Sequence, residues 1–423
     1  MINSVKQYRH ELSDSIWLFV LQGLNLLVPL FVWPYLMKVI GPEQFGIFGF
    51  AQAMANYACL LVDFGFNLSA TKRIVIARGN QEELNKIFSS TMIAKLILLL
   101  ISFLIYILVL CIPKFVVYRS ISLLMFLSVI GNMFLLVWLF QGLGKIKIVS
   151  AINAFAKVLF FPLIFVLVKS PSDTWIAVVI YCATYLAAAV SIVCVGKKQN
   201  LATFVRVSKH DVIGEMKISW PIFLSQAATS IYTMLFVVIL AYYVSPKEVG
   251  WYTAAEKIIR VMVATVLIPI TGAFYPKVSE LSVNQRNKAH KFIKTLATLF
   301  VVVFIVGGIL LCIFAEFIVD WLGDKYDGMQ LLIYMLAFVP IPITLGSIFG
   351  QFGLVALGDN YTIKVYSRIY YVAALIALLG VFLLSRFYGV IGTAIALIIT
   401  EVFVCLSMII AYYQLIPKTI KNE

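Results

Sequence analysis

The 423 residues are 62% hydrophobic and only 12% charged, with 33 Lys and Arg against 19 Asp and Glu, a net charge of +14. A mean hydropathy of +1.01 excludes a soluble globule, because a water-soluble surface cannot be built from so few charges. The composition fits a polytopic membrane protein whose positive excess is a loop bias plus attraction to anionic lipid, not a nucleic-acid footprint.

About 20 apolar residues cross the hydrocarbon core as a helix. Twelve such runs occur, at residues 14–37, 44–70, 88–112, 115–141, 149–168, 175–195, 218–244, 249–275, 295–315, 330–357, 365–384 and 388–413. The run after the polar amino terminus is too long for a signal-peptide core and lacks a small-residue cleavage site, so it stays as the first span. With an even number of spans both termini share a side. That side carries most of the Lys and Arg, among them Arg73, Arg78, Lys86, Lys145, Lys197, Lys198 and Arg206, against Lys38, Lys114, Arg119, Lys169, Lys247, Lys325 and Arg386 opposite. The expectation is a multi-pass membrane protein with both termini cytoplasmic.

The first span contains Gln22, Asn25, Pro29 and Pro34 and ends at the turn Gly41-Pro42-Glu43. Prolines bend membrane helices, commonly where they line a cavity. In the second span Gln52, Asn56, Asp63 and Asn67 are spaced 4, 7 and 4 apart, which predicts one helical face. Such a stripe is either glue between helices or a cavity wall. Lys95 in the third span and Lys157 in the fifth sit where a long side chain either snorkels to the headgroups or lines the cavity. Trp138, near the end of the fourth span, is expected as an interfacial anchor.

The segment 196–217 is polar, basic and partly amphipathic; it is expected to be a cytoplasmic linker on the inner leaflet between an amino-terminal bundle, 1–195, and a carboxy-terminal one, 218–423. The second half repeats the first. Ser245-Pro246-Lys247-Glu248-Val249-Gly250 follows the seventh span as Gly41-Pro42-Glu43-Gln44-Phe45-Gly46 follows the first. At that constant offset Gln52 maps to Glu256 and Asn56 to Arg260. LVALGDNYTI (Leu354 to Ile363) also follows span ten much as FQGLGKIKI (Phe140 to Ile148) follows span four. The fold class read from this is all-α integral membrane, with twelve transmembrane helices in two pseudo-symmetric six-helix bundles around a central polar cavity.

Span eight holds the least expected charges, Glu256, Lys257 and Arg260. Each costs roughly 2.5–3.5 kcal/mol at the centre of a membrane helix, so such residues face a bundle interior or a water-filled cavity. Glu256 and Arg260 are an i,i+4 pair, read either as a self-neutralising structural pair or as a cavity lining. The outer loop Glu316 to Met329 carries Asp320, Asp324 and Asp327, read as solvated loop charges. All six cysteines lie in or at the edge of apolar spans without a CxxC pair, the three histidines lie apart, and no phosphate-binding glycine loop, nucleophile elbow or zinc motif occurs. No cofactor, metal or enzymatic reaction is expected.

The stretches VPLFVWPYLMKVIGPEQFG, DFGFNLSATKRI, WLFQGLGKIK, SWPIFLSQ and GWYTAAEKIIR with the following YPKVS, in this order, resemble the Wzx-type O-antigen flippases. These form the polysaccharide transporter family of the multidrug/oligosaccharidyl-lipid/polysaccharide exporter superfamily. The resemblance implies a flippase that moves an undecaprenyl-pyrophosphate-linked oligosaccharide to the periplasmic leaflet by alternating access, coupled to an ion gradient. A polysaccharide polymerase and a chain-length regulator are the implied partners. On this reading Arg260 binds pyrophosphate bidentately with Lys257, Lys95 and Lys157 as helpers, Gln22, Asn25, Gln52 and Asn56 bind sugar, and Asp63 and Glu256 are the coupling carboxylates. The alternatives are a drug or cation exporter of the same superfamily and a lipid II-type flippase, whose two further helices are absent here. A membrane polymerase or glycosyltransferase is disfavoured by the short outer loops.

Overall fold

Two glycines decide where the longest helices fold back. In the computed structural model, Ile2–Asp63 (α1) and Asn360–Lys421 (α15) each run for 62 residues, broken by Gly41 (φ 75°) and Gly389 (φ 56°). A left-handed residue ends a helix where its last carbonyls need new partners, and Pro42 after Gly41 starts the next helix without requiring an amide donor. The structure describes the backbone of residues 2–421 and the side chains of residues 30–416, except those of residues 229, 231–234, 268–269, 272–273, 276–277, 279 and 282–284. Gln22 and Asn25 therefore lie outside the described side chains.

Between these two helices run Phe66–Ile76 (α2), Gln81–Leu110 (α3), Arg119–Met133 (α4), Val137–Gly142 (α5), Ile146–Phe160 (α6), Pro162–Leu167 (α7) and Thr174–Lys198 (α8). Lys209–Tyr243 (α9), Pro246–Asn284 (α10), Arg286–Ile313 (α11), Ala315–Leu322 (α12), Met329–Leu336 (α13) and Pro340–Ser347 (α14) follow. Eight helical stretches among the described residues are long and apolar enough to cross a membrane; Leu30–Ile76 holds the second expected span with the end of the first, and Asn360–Ile416 holds the last two. The seventh and eighth spans lie on α9 and α10, so the chain is an all-helical protein of twelve membrane spans.

The contacts divide the chain into two units, one of Met1–Ile40 and Phe50–Ala227, the other of Gly41–Gly49 and Ala228–Glu423. In the first, α8 packs on α4 and α6, and α2 packs on α5. Here α3 shows the membrane pattern turned inside out. Leu96, Leu100, Leu104 and Leu108 are exposed along one face, while Lys95, Ser102 and Tyr106 are buried on the other. Lipid solvates the apolar face, so the bundle interior is where polar groups find partners. Trp138 is fully buried, stacked on Phe88 at 6.0 Å, and its carbonyl accepts a hydrogen bond from Thr71 Oγ1. This corrects the expected interfacial anchor. The left-handed turn at Leu136 (φ 46°) before α5 redirects the chain there.

In the second unit α15 packs on α14 and on the π-helical turn Ile348–Val355. α10 starts with a capping box: Ser245 Oγ accepts from the Glu248 amide while the Glu248 carboxylate accepts from the Ser245 amide and hydroxyl, with Pro246 in the first turn. Against this start lies the segment Gly41–Gly49. A Cβ on Gly46 would meet the Pro246 carbonyl, and one on Gly250 the Pro42 carbonyl. The two turns matched in the sequence repeat thus pack on each other reciprocally, each glycine allowing the other turn's backbone to approach.

Candidate functional site

In the first unit the second span breaks just after Asp63, at Phe64 (φ 42°) and Gly65 (φ 80°). A Cβ on Gly65 would stand 2.9 Å from the Ile222 side chain, so only glycine fits beneath α9. The break corrects the four-residue stripe. Gln52, Asn56 and Asp63 share α1, but Asn67 belongs to α2 and leaves their face. At the break Lys95 Nζ donates to Asp63 Oδ1 at 2.8 Å and Asn132 Nδ2 to Asp63 Oδ2 at 3.3 Å. Spans two, three and four are thereby tied through one carboxylate. The Lys95 side chain is 2% exposed and that of Asp63 23%, so Lys95 does not snorkel.

Further along α1, Gln52 is hydrogen-bonded to Tyr181, whose hydroxyl lies 3.3 Å from that of Tyr185, both on α8. Asn56 is half-buried on α1, and Lys157 half-buried on α6.

In the second unit Arg260 Nε and Nη2 donate to the same Glu256 oxygen, at 2.8 and 2.7 Å. The Arg260 side chain remains 38% exposed, whereas that of Glu256 is 11% exposed. Glu401, buried on α15, is electrostatically coupled to both. Buried Tyr252 lies one turn before Glu256, and half-buried Lys257 feels both Glu256 and Arg260. Two carboxylates and two cations thus form one set. At this depth like charges would repel strongly, and opposite charges in balance lower the insertion cost. The structure brings Glu256, Lys257 and Arg260 together with a carboxylate that reasoning from the repeat alone passes over. Its signal was present: Glu401 is a single acid inside the apolar run 388–413.

A third polar cluster joins the segment after α8 to the first unit. Arg73 is hydrogen-bonded to Glu215 on α9 and reaches Glu83 at 3.3 Å; Ser90 Oγ donates to Glu215, and Lys86 pairs with Asp211 at 3.0 Å. The amide and hydroxyl of Ser208, together with Lys86, hold the Asp211 carboxyl down at about 2. Burial pushes that of Glu215 up, against the opposing pull of Arg73. The contacts place α9 up to Ala227 with the first unit, although Ile218 to Ala227 falls on the carboxy-terminal side of the boundary drawn from sequence.

Among the described residues no group of His, Cys, Asp and Glu is placed to hold a metal ion. The acidic loop Glu316 to Met329 packs against α10, with Trp251 Nε1 donating to the Lys325 carbonyl at 2.9 Å.

The profile of the family described as polysaccharide biosynthesis protein matches residues 12–282. Two relatives, each named "Putative O-antigen transporter", are similar over nearly the whole chain. One from Escherichia coli (strain K12) is 32% identical, over 92% of this chain and 94% of its own length. The other, from Shigella dysenteriae, is 33% identical, over 94% and 98%. Among solved structures, the lipid II flippase MurJ in an inward closed conformation has a TM-score of 0.72 at 14% identity, over 93% of this chain and 87% of that one. A multidrug resistance MATE family transporter of the MOP superfamily, inward-facing, has a TM-score of 0.67 at 10% identity, over 92% and 97%. At these identities the two structures speak for the fold.

Proposed function

Because this chain belongs to the polysaccharide biosynthesis protein family, we propose that it is a flippase for an undecaprenyl-pyrophosphate-linked O-antigen repeat unit. It carries that lipid from the cytoplasmic to the periplasmic leaflet of the inner membrane, with both of its own termini cytoplasmic, and converts nothing chemically. The two six-helix halves expose the substrate site to one side of the membrane and then the other. A polymerase and a chain-length regulator take over on the far side.

The observation that carries this reading is the partly exposed Arg260, anchored to Glu256 through one oxygen and coupled to Glu401. A partly exposed guanidinium is accessible to an anion, and a diphosphate matches its planar fork. Lys257 adds charge. Gln52 and Asn56, with Gln22 and Asn25, supply amides for sugar hydroxyls, and Lys157 assists at the headgroup. Glu256, the partner of Arg260, is the carboxylate that couples transport to the ion gradient. Asp63, held by Lys95, is the second carboxylate that can take part.

The test is complementation of a flippase-null strain, reading both protein level and surface O-polysaccharide. Arg260→Lys keeps charge without the fork and should give partial transport; Arg260→Ala should give none at normal protein level. The double variant Glu256→Gln, Arg260→Met separates binding from structure, because an apolar pair replaces a buried ion pair at little cost. Normal protein level without polysaccharide is expected. Normal polysaccharide from the double variant would reduce Arg260 to a structural partner of Glu256.

A further inference from the structure

The first unit contains a cavity whose walls include none of the charges assigned to transport. After a turn at Gln199 and Asn200, the non-helical segment from Leu201 to Ser208 runs over the start of α3 and is stitched to it. The Thr203 amide donates to Asn85 Oδ1 at 2.9 Å, the Val205 amide to Ser89 Oγ at 2.9 Å, and Gln81 Nε2 to the Leu201 carbonyl at 3.2 Å. Beneath this strap is a cavity of about 290 Å³ walled by Phe88, Met92, Leu136, Leu139, Val193 and Phe204, with Lys197 also on its wall. Leu136, the left-handed residue at which the chain turns into α5, lies on its wall.

The cavity matches a particular place in a bilayer. Met92 and Leu139 fall inside apolar spans, whereas Lys197 falls just beyond the end of the sixth, at headgroup level. Lys198 follows, and Lys145 is brought alongside by the hydrogen bond from its Nζ to Gln199 Oε1 at 2.7 Å. No residue that walls the cavity is acidic. Phe204, 63% exposed, stands edge-on to Phe88 and offers its outer face to the surroundings. An apolar slot with a basic mouth is how membrane proteins retain one anionic lipid, the acyl chain in the slot and the phosphate on the lysines. The volume lies at the lower end of small-molecule pockets, about 300–1,000 Å³, which fits part of one chain and excludes an oligosaccharide.

We infer that this cavity is a binding site for a single anionic phospholipid of the inner leaflet, with an acyl chain under the strap and the head phosphate on Lys197. The site is separate from the transport charges on α10 and α15, so its occupancy is read without measuring transport. The strap also reaches Arg73 and Lys86 through Glu215 and Asp211 on α9, so bound lipid stabilises the join between α8 and α9.

The experiment uses the full chain purified in mild detergent, exposed to equal amounts of phosphatidylglycerol and phosphatidylethanolamine and examined by native mass spectrometry. The parent protein should retain one phosphatidylglycerol in preference to phosphatidylethanolamine. Lys197→Gln, at an exposed position, should weaken retention about fivefold, the worth of one interfacial lysine, and erase the preference. Ala202→Trp, which fills the slot, should abolish retention while the thermal unfolding profile stays that of a folded protein. Should Ala202→Trp fail to fold, Lys197→Gln decides alone. Equal retention of both lipids by the parent, undiminished phosphatidylglycerol on either folded variant, or displacement of the phospholipid by undecaprenyl phosphate would each overturn the assignment.

Discussion

The Asp63–Lys95 pair of the first unit and the Glu256–Arg260 pair of the second are both carboxylate–cation contacts within a membrane bundle, yet they are built differently. Asp63 and Lys95 come from different spans, Asn132 adds a third, and the cation is sealed at 2% exposure. Glu256 and Arg260 are one turn apart on α10, and the cation is 38% exposed. A pair that joins helices fixes how those helices pack. A pair along one helix is set by the spacing of that helix alone, whatever charge a neighbour such as Glu401 adds. The first unit seals its cation between helices, and the second leaves its guanidinium partly exposed.

The neighbouring polar contacts differ in the same sense. Gln52, at the position that repeats as Glu256, is met by Tyr181 of the sixth span, whereas Glu256 is met by the charge of Glu401 on the twelfth. The break after Asp63 also has no equivalent in α10, which is helical from Pro246 to Asn284.

The largest effect expected is at Lys95. Lys95→Met leaves half-buried Asp63 without its cation, a loss of up to about 3–5 kcal/mol, the figure for breaking a buried pair, and the protein level should fall sharply. Asp63→Asn together with Lys95→Met should restore it, and with it surface polysaccharide, if the pair is architectural. Arg260→Ala leaves the level unchanged in the same assay. A double Asp63/Lys95 variant that is well made but inactive would erase the contrast and give Asp63 a role in transport.

A smaller effect tests the reciprocal turns. Gly250→Ala pushes a methyl into the Pro42 carbonyl, and Gly46→Ala one into that of Pro246; strain of about 1–3 kcal/mol is expected for each. The two variants should lower the unfolding temperature by similar amounts, because the contacts are reciprocal. A loss from one alone would show that the equivalence of the two turns does not extend to energetics.

The smallest effect is a pH response confined to the second unit. His290 shares a hydrogen bond with Tyr412 and is held below the ordinary histidine range by burial, then by Lys294 and Arg286. A histidine depressed in the folded state binds its proton more readily when unfolded, so stability is lost as pH falls through the ordinary range near 6.5. Thermal unfolding followed between about pH 7.5 and 5.5 should show an acid-side loss that shrinks in His290→Gln. An undiminished loss in that variant would assign the response elsewhere.

Much of this was legible in the chain because it depends on local composition and spacing. Span number follows from apolar length, the turns from Gly-Pro and Ser-Pro signals, the internal repeat from the match of Gly41–Gly46 with Ser245–Gly250, and the Glu256–Arg260 pair from an i,i+4 spacing that any helix enforces. The contacts that join distant segments were not legible. Lys95 reaches Asp63 and Trp138 turns inward because Phe64, Gly65 and Leu136 adopt left-handed backbone, and no periodicity announces a break inside an apolar run. Glu401 joins Arg260 across more than a hundred residues, and Leu201–Phe204 closes a cavity only because α3 presents Asn85 and Ser89 to hold it. By itself the sequence determined that this protein crosses the membrane twelve times in two related halves, since hydrophobic length and turn chemistry are properties of short segments. Only the tertiary structure decided which buried charges are sealed and which stay open, because a charge in an apolar medium is defined by the partners that packing brings to it.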